Sequence, residues 1–445
     1  MHTPRKRHYL SLFTLFIAAL TPHAVQAKDD IEITTRISHP YLEPGTEQTV
    51  FFKIGLQGKK PHTNTERPAI NVALILDKSG SMSGQKIADA KNASKMLVDR
   101  LNPNDIVSVI AYDNQPHVIV RAQPVLHPEM IKAKINQIRA NGGTALYHGV
   151  ETGARELQKY FTDNQISRAI LLSDGIANVG PSAPNELEAL GRHLASDGIS
   201  VSTIGLGLGY NEDLMARLAA SSDGTHQFAE SPSDLAQAFD WQFGKMASVV
   251  ANGTEVTINF ADNVTPIRVL GREGRVSSHS AYFNLNEIFS THETYTLVEA
   301  KIKTPTTAHQ RLPLGHTVIS YRNLNTMSVV QHNRGLYADI SRDMNLLRNT
   351  RDTDVIIAAT EQISALKHRE IIKLRDEGQT AEATTQLEEL SKNVNQAGED
   401  MNSGKLQRYG EILKQQLNDL KNNLDWNKSR KKGTATLQSV SFGTI

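Results

Sequence analysis

The chain of 445 residues carries 48 Lys and Arg against 47 Asp and Glu, with 39% hydrophobic residues and no cysteine. No nucleic-acid footprint appears at this level, because such binding needs a concentrated positive face. The missing thiols exclude zinc–thiolate sites, a thiol nucleophile and disulfide staples, so each domain must rest on its own apolar core. The length allows two or three such cores.

Residues 1–27, "MHTPRKRHYLSLFTLFIAALTPHAVQA", join a basic start (Arg5, Lys6, Arg7) to an apolar stretch, then Pro22 and the small residue Ala27. This is the layout of a secretory signal peptide, and the stretch is short for a bilayer span. An uncleaved N-terminal anchor is the alternative. Removal of these residues leaves 45 basic against 47 acidic side chains and no membrane-spanning segment in the mature chain. An exported chain of this size without disulfides fits bacterial export to the periplasm, the cell surface or the medium.

Residues 28–67 alternate with period two (Ile31, Ile33, then Val50, Phe52, Ile54, Leu56) before a polar linker, "GKKPHTNTERP". They read as half-buried strands. Residues 68–246 switch to apolar runs of strand length ("NVALIL", "IVSVIAY", "RAILLS", "ISVSTIGLG") separated by amphipathic helices. One helix shows Ile87, Ala90, Ala93, Leu97 and Leu101 on one face, another Leu146, Val150, Ala154 and Leu157. Continuous apolar strands between such helices imply an α/β, doubly wound, mainly parallel sheet. Residues 247–335 return to period two, as in a β-sandwich. The simplest arrangement is one sandwich made from both flanks with the α/β domain inserted. Residues 352–426 form narrow helical seams, including Leu387, Leu390, Leu413 and Leu417, expected to pack as helical hairpins. The tail, 427–445, holds a basic run (Lys428, Arg430, Lys431, Lys432) that reads as a solvated end.

The stretch "LILDKSGSMSG", residues 74–84, leaves an apolar strand for Asp77, Ser79 and Ser81 at alternate positions. Hard divalent cations take oxygen ligands, and a loop at a strand tip can aim every second side chain at one point. Two further segments place oxygens similarly. "NGGTALYHG" puts Thr144 after a glycine pair, and "RAILLSDGIAN" puts Asp174 after the next strand. In parallel sheets, sites form at the carboxyl ends of the strands. Each segment alone has an ordinary reading: a turn or N-cap at Asp77 to Ser81, a cap at Thr144, an Asx-turn at Asp174. Lys78, between two candidate ligands, is expected to turn away toward solvent. His148 and His226 lie nearest the proposed site among the sixteen histidines.

These three segments resemble the metal-ion-dependent adhesion site of von Willebrand factor type A domains, and "VSTIGLGLGYNEDLMARLAASSDGTHQFAESPSDLAQAF" is similar to that family's closing portion. The resemblance covers residues 68–246. It implies Ser79, Ser81 and Thr144 as hydroxyl ligands, with Asp77 and Asp174 holding the ion directly or through water. The flanks resemble exported proteins related to inter-α-trypsin inhibitor heavy chains.

Magnesium is the expected ion, and manganese or calcium would satisfy the same oxygens. Hydroxyl ligands bring no charge, so such an ion stays electrophilic and takes an Asp or Glu carboxylate from a partner protein. The expectation is therefore a binding protein for adhesion or envelope assembly, not an enzyme. Two alternatives stand beside it: docking through the sandwich and the C-terminal helices, or metal-dependent hydrolysis. No Asp-x-Asp, His-Glu-x-x-His or Gly-x-Ser-x-Gly motif surrounds the candidate residues.

Overall fold

The computed structural model describes residues 31–59, 67–307, 311–422 and 426–441. The predicted signal peptide and most of the predicted polar linker lie outside them. Three strands open the described chain: β1 (Ile31–Ile37), β2 (Tyr41–Leu42) and β3 (Glu47–Gly58).

The inserted α/β region follows, with β4 (Ile70–Asp77), α1 (Gln85–Arg100), β5 (Ile106–Tyr112), β6 (Pro116–Pro124), α2 (Pro128–Asn136) and α3 (Leu146–Gln158). It continues through β7 (Ile166–Ser173), α4 (Pro184–Ser196), β8 (Ile199–Leu206), α5 (Glu212–Ser221), β9 (His226–Ala229) and α6 (Pro232–Ala247). The sheet order is β6-β5-β4-β7-β8-β9, and only β6 runs antiparallel to its neighbour. Every residue of β4, β5, β7 and β8 is buried, because helices cover both faces. Alternate residues of β4 serve the two cores: Val72, Leu74 and Leu76 join α1 and α6, while Ala73 and Ile75 join α3, α4 and α5. From β4 the chain winds out to β5 on one side and returns to β7 on the other. The switch point, where such sheets open a crevice, therefore lies between the ends of β4 and β7. Strands β6, with only Val118, Ile119 and Val120 in an apolar run, and β9, with none of strand length, are additions to the strands expected from sequence.

The remaining strands are β10 (Val249–Phe260), β11 (Val264–Leu270), β12 (Gly274–Val276), β13 (Ser280–Phe289), β14 (Thr294–Lys303), β15 (Arg311–Asn323) and β16 (Ser328–Ile340). They join the N-terminal strands in two sheets, β1-β3-β14-β11 and β12-β13-β10-β15-β16-β2. In β3 and β14, Val50 faces Ala300 and Phe52 faces Val298, so segments far apart in sequence share one register. Their inward residues meet those of β10 and β15 in one core, including Phe52, Ile54, Val256, Ile258, Val298 and Ile319. The sandwich is thus built from both flanks, as the alternation implies.

A polar cluster ties the inserted sheet to the sandwich. Arg168 of β7, 2% exposed, pairs with Glu287 of β13, and Asp223 pairs with Arg272 at 3.1 Å. Lys245 of α6 lies over the Phe289 ring at 4.8 Å, and burial pushes its ammonium down to about 8.

The helices are α7 (Met344–Asn349), α8 (Thr353–Asp376), α9 (Thr380–Asp400), α10 (Gly404–Lys421) and α11 (Trp426–Ser441). The expected seams of α9 and α10 share a core with Leu437 and Val440 of α11. The tail departs from expectation: its basic run lies in α11 and is not a solvated end. Lys431 is 1% exposed and bonds Glu212 at 2.6 Å and the Tyr210 carbonyl at 2.9 Å. Arg430 pairs with Glu212, with Asp213 at 2.5 Å and with Asp376 at 2.7 Å. The acidic first turn of α5 draws these cations in, since carboxylates favour a helix N-terminus and then need partners when buried. Among the described residues no helix is long and apolar enough to cross a membrane.

Removing one partner of a buried pair leaves a charge without compensation. Glu287→Gln is expected to cost about 3 kcal/mol, read as a lower urea midpoint at unchanged slope. A loss below about 1 kcal/mol, the scale of an exposed pair, would contradict the role given to this contact.

Candidate functional site

Asp77 is the last residue of β4 and is fully buried. Its Oδ1 accepts from the Ser79 amide at 2.8 Å, which bends the chain sharply off the strand. Its Oδ2 accepts from the Ser173 hydroxyl at 2.6 Å. The parallel register that sets Leu76 beside Leu172 brings Ser173 next to Asp77. Burial raises the Asp77 carboxyl above the usual range, the Ser173 and Ser79 hydrogen bonds oppose this, and the Asp174 charge adds to it.

Three loops are spliced together above this point. The Asn141 amide donates to the Lys78 carbonyl at 2.6 Å, and the Gly80 amide donates to the Gly142 carbonyl at 2.9 Å. Gly142 holds φ of +79°, a left-handed turn that favours glycine. From the third loop, Asn178 clasps Thr144 both ways: its side chain accepts from the Thr144 amide at 2.8 Å, and its amide donates to the Thr144 carbonyl at 3.2 Å.

The five candidate residues converge. Ser79 Oγ and Ser81 Oγ are 3.0 Å apart, and Ser81 Oγ donates to Asp174 Oδ1 at 2.7 Å. Gly175 marks their meeting point. A methyl group added there would lie 3.1 Å from Thr144 Oγ1, 3.3 Å from Ser81 Oγ and 3.7 Å from Asp77 Oδ2. Segments far apart in sequence thus put three oxygens around the space that glycine leaves. The capping roles do not absorb these groups. Helix α3 starts after Ala145 without a side-chain cap, and α1 starts after Gly84, also without one. The turn reading holds in part, for Asp77 does organise a turn through Ser79.

Such a donor set suits a hard cation: two carboxylates and three hydroxyls, all oxygen. Among the described residues no three His, Asp or Glu side chains gather as a metal cluster. A site here would lean on hydroxyls.

Neighbouring groups sort differently from the sequence reading. Lys78 does not run into solvent; its ammonium pairs with Asp113 at the end of β5, with 14% of the side chain exposed. His148 turns to Glu151 at 3.6 Å. His226 is buried between Thr203 Oγ1 at 2.9 Å and the Tyr210 hydroxyl at 3.3 Å, and burial pushes it down to about 4. Both histidines are engaged away from the oxygen cluster. Ser173, Asn178 and Lys86 join the site without standing out in the sequence. Parallel pairing of two apolar strands would have placed Ser173 beside Asp77, whereas nothing in the residue order marks Lys86. Its ammonium lies 2.5 Å from Asp174 Oδ2.

The von Willebrand factor type A domain family matches residues 71–241. An uncharacterized protein of Synechocystis sp. is 32% identical over 202 residues, 45% of this chain and 47% of its own length. Human inter-alpha-trypsin inhibitor heavy chain H4 is 26% identical over 205 residues, 43% of this chain and 21% of its own. The match spans less than half the length of either relative. Among solved structures, a von Willebrand factor type A protein from Catenulispora acidiphila is alike in fold, with a TM-score of 0.71 at 16% identity over 93% of this chain and 97% of that one. Sheet order, crevice and family match agree: residues 71–241 of this chain are a von Willebrand factor type A domain.

Proposed function

We propose that this chain is an exported, divalent-metal-dependent binding protein that captures an Asp or Glu side chain of a partner protein at the crevice between β4 and β7. The convergence of Thr144, Ser81 and Asp77 on the space left by Gly175 carries this reading. In it Ser79, Ser81 and Thr144 supply neutral oxygens, while Asp77 and Asp174 supply the charge. Magnesium is the first choice of ion, and manganese or calcium meets the same oxygens. When bound, the ion supplies an open coordination position for an outside carboxylate.

The chain's own residues do the rest. Ser173 and the Ser79 amide fix the Asp77 carboxylate, and Asn178 fixes Thr144, so ligands are held before a partner arrives. Ile176, two residues past Asp174, is 62% exposed and offers an apolar contact beside the crevice. A partner segment with an apolar residue next to its acid fits this rim. His148 and His226 are engaged with other partners, which favours a binder over a hydrolase that needs a base at the ion.

A pull-down from envelope extract with the full chain tests this. Capture is expected to fall by at least about tenfold on adding EDTA and in Asp77→Ala, the scale of losing a central anchor, while circular dichroism shows a folded variant. Capture indifferent to both would overturn the reading.

A further inference from the structure

The site's two carboxylates are buried next to one another, and the Lys86 ammonium reaches one of them, Asp174. Lys86, in the first turn of α1, sets its Nζ 2.5 Å from Asp174 Oδ2. Asp174 has no exposed side-chain surface, whereas 40% of the Lys86 side chain meets solvent. The side chain runs past Gly207, where an added Cβ would lie 3.8 Å from its Cε and 3.9 Å from its Nζ. Lys78, the lysine inside the loop, is paired with Asp113 instead. The site therefore carries its own cation, on a flexible stem that can withdraw toward water.

From this geometry we infer that Lys86 is a tethered cation that competes with the divalent ion for Asp174 and so sets the affinity of the site. The inference rests on the metal-binding reading above. Like charges a few ångströms apart repel even where the effective dielectric is moderate. An ion held by Asp77 and Asp174 must either share Asp174 with the ammonium or displace it. A partner carboxylate relieves that repulsion by adding negative charge, so ion and partner should bind with positive coupling. The Lys86 ammonium bonds Asp174, not Asp77 or the hydroxyl ligands, and its effect runs through Asp174.

Isothermal titration of MgCl2 into the full-length wild type, Lys86→Met, Lys86→Arg and Asp77→Ala separates this inference from the reading beneath it. Lys86→Met is expected to bind magnesium roughly tenfold tighter than wild type, within the usual range of coupling between sites. Lys86→Arg, which keeps the charge, is expected to stay near wild type. Equal or weaker binding in Lys86→Met would overturn the role of Lys86, while binding by wild type that is absent from Asp77→Ala would leave the metal reading standing. Heat from none of the four proteins would overturn both. Should Lys86→Met melt early, Lys86→Gln gives the same comparison with a polar stem.

Discussion

Asp77 and Asp174 are buried acids set at the ends of adjacent parallel strands, where burial and the neighbouring Asp174 charge raise the cost of charging Asp77. Isolated carboxylates are driven out of protein interiors unless hydrogen bonds or cations compensate them. The surrounding structure answers that demand piece by piece. Ser173 and the Ser79 amide bond Asp77, and Ser81 and Lys86 bond Asp174. The loops that bring these donors are spliced to one another by backbone hydrogen bonds. A site of this kind is rigid because its polar groups are satisfied from within.

The architecture puts that rigidity on a firm base. β4 and β7 are central strands, buried on both faces, so their carboxyl ends are held by two cores at once. The sandwich grips the inserted domain from below through the Arg168–Glu287 pair and the ring contact of Lys245. From another side α11 clamps the first turn of α5 through Arg430 and Lys431, and Asn427 reaches the Leu208 carbonyl at 3.0 Å. That carbonyl lies in the loop that also contains Gly207, beside the Lys86 side chain. The C-terminal helices are therefore part of the support of the crevice loops.

Much of this was legible in the residue order, for identifiable reasons. The apolar runs of β4, β5, β7 and β8 are unambiguous because both faces of each strand are buried, and period-two alternation marks the sandwich where one face of a strand is open, as in β15 and β16. The oxygens of Asp77, Ser79, Ser81, Thr144 and Asp174 stand out because three separate segments offer them together, each at an edge of the expected sheet, although each segment alone reads as a turn or cap. Short polar strands such as β9 leave no such trace. The tail misled for a different reason: Arg430 and Lys431 look like a solvated basic run, and only the fold reveals the acidic turn of α5 waiting for them. Lys78 and Lys86 show the same limit. Both are lysines near a strand tip, and which one turns to the site depends on Asp113, which arrives from β5.

The proposed function requires oxygens from three loops to share one divalent ion. Crystals of the full chain grown with manganese, with data collected to record its anomalous signal, test that most directly. One strong peak is expected, bordered by Ser79, Ser81 and Thr144, with Asp77 and Asp174 behind it. A peak at any other place, or none at millimolar manganese, would contradict it.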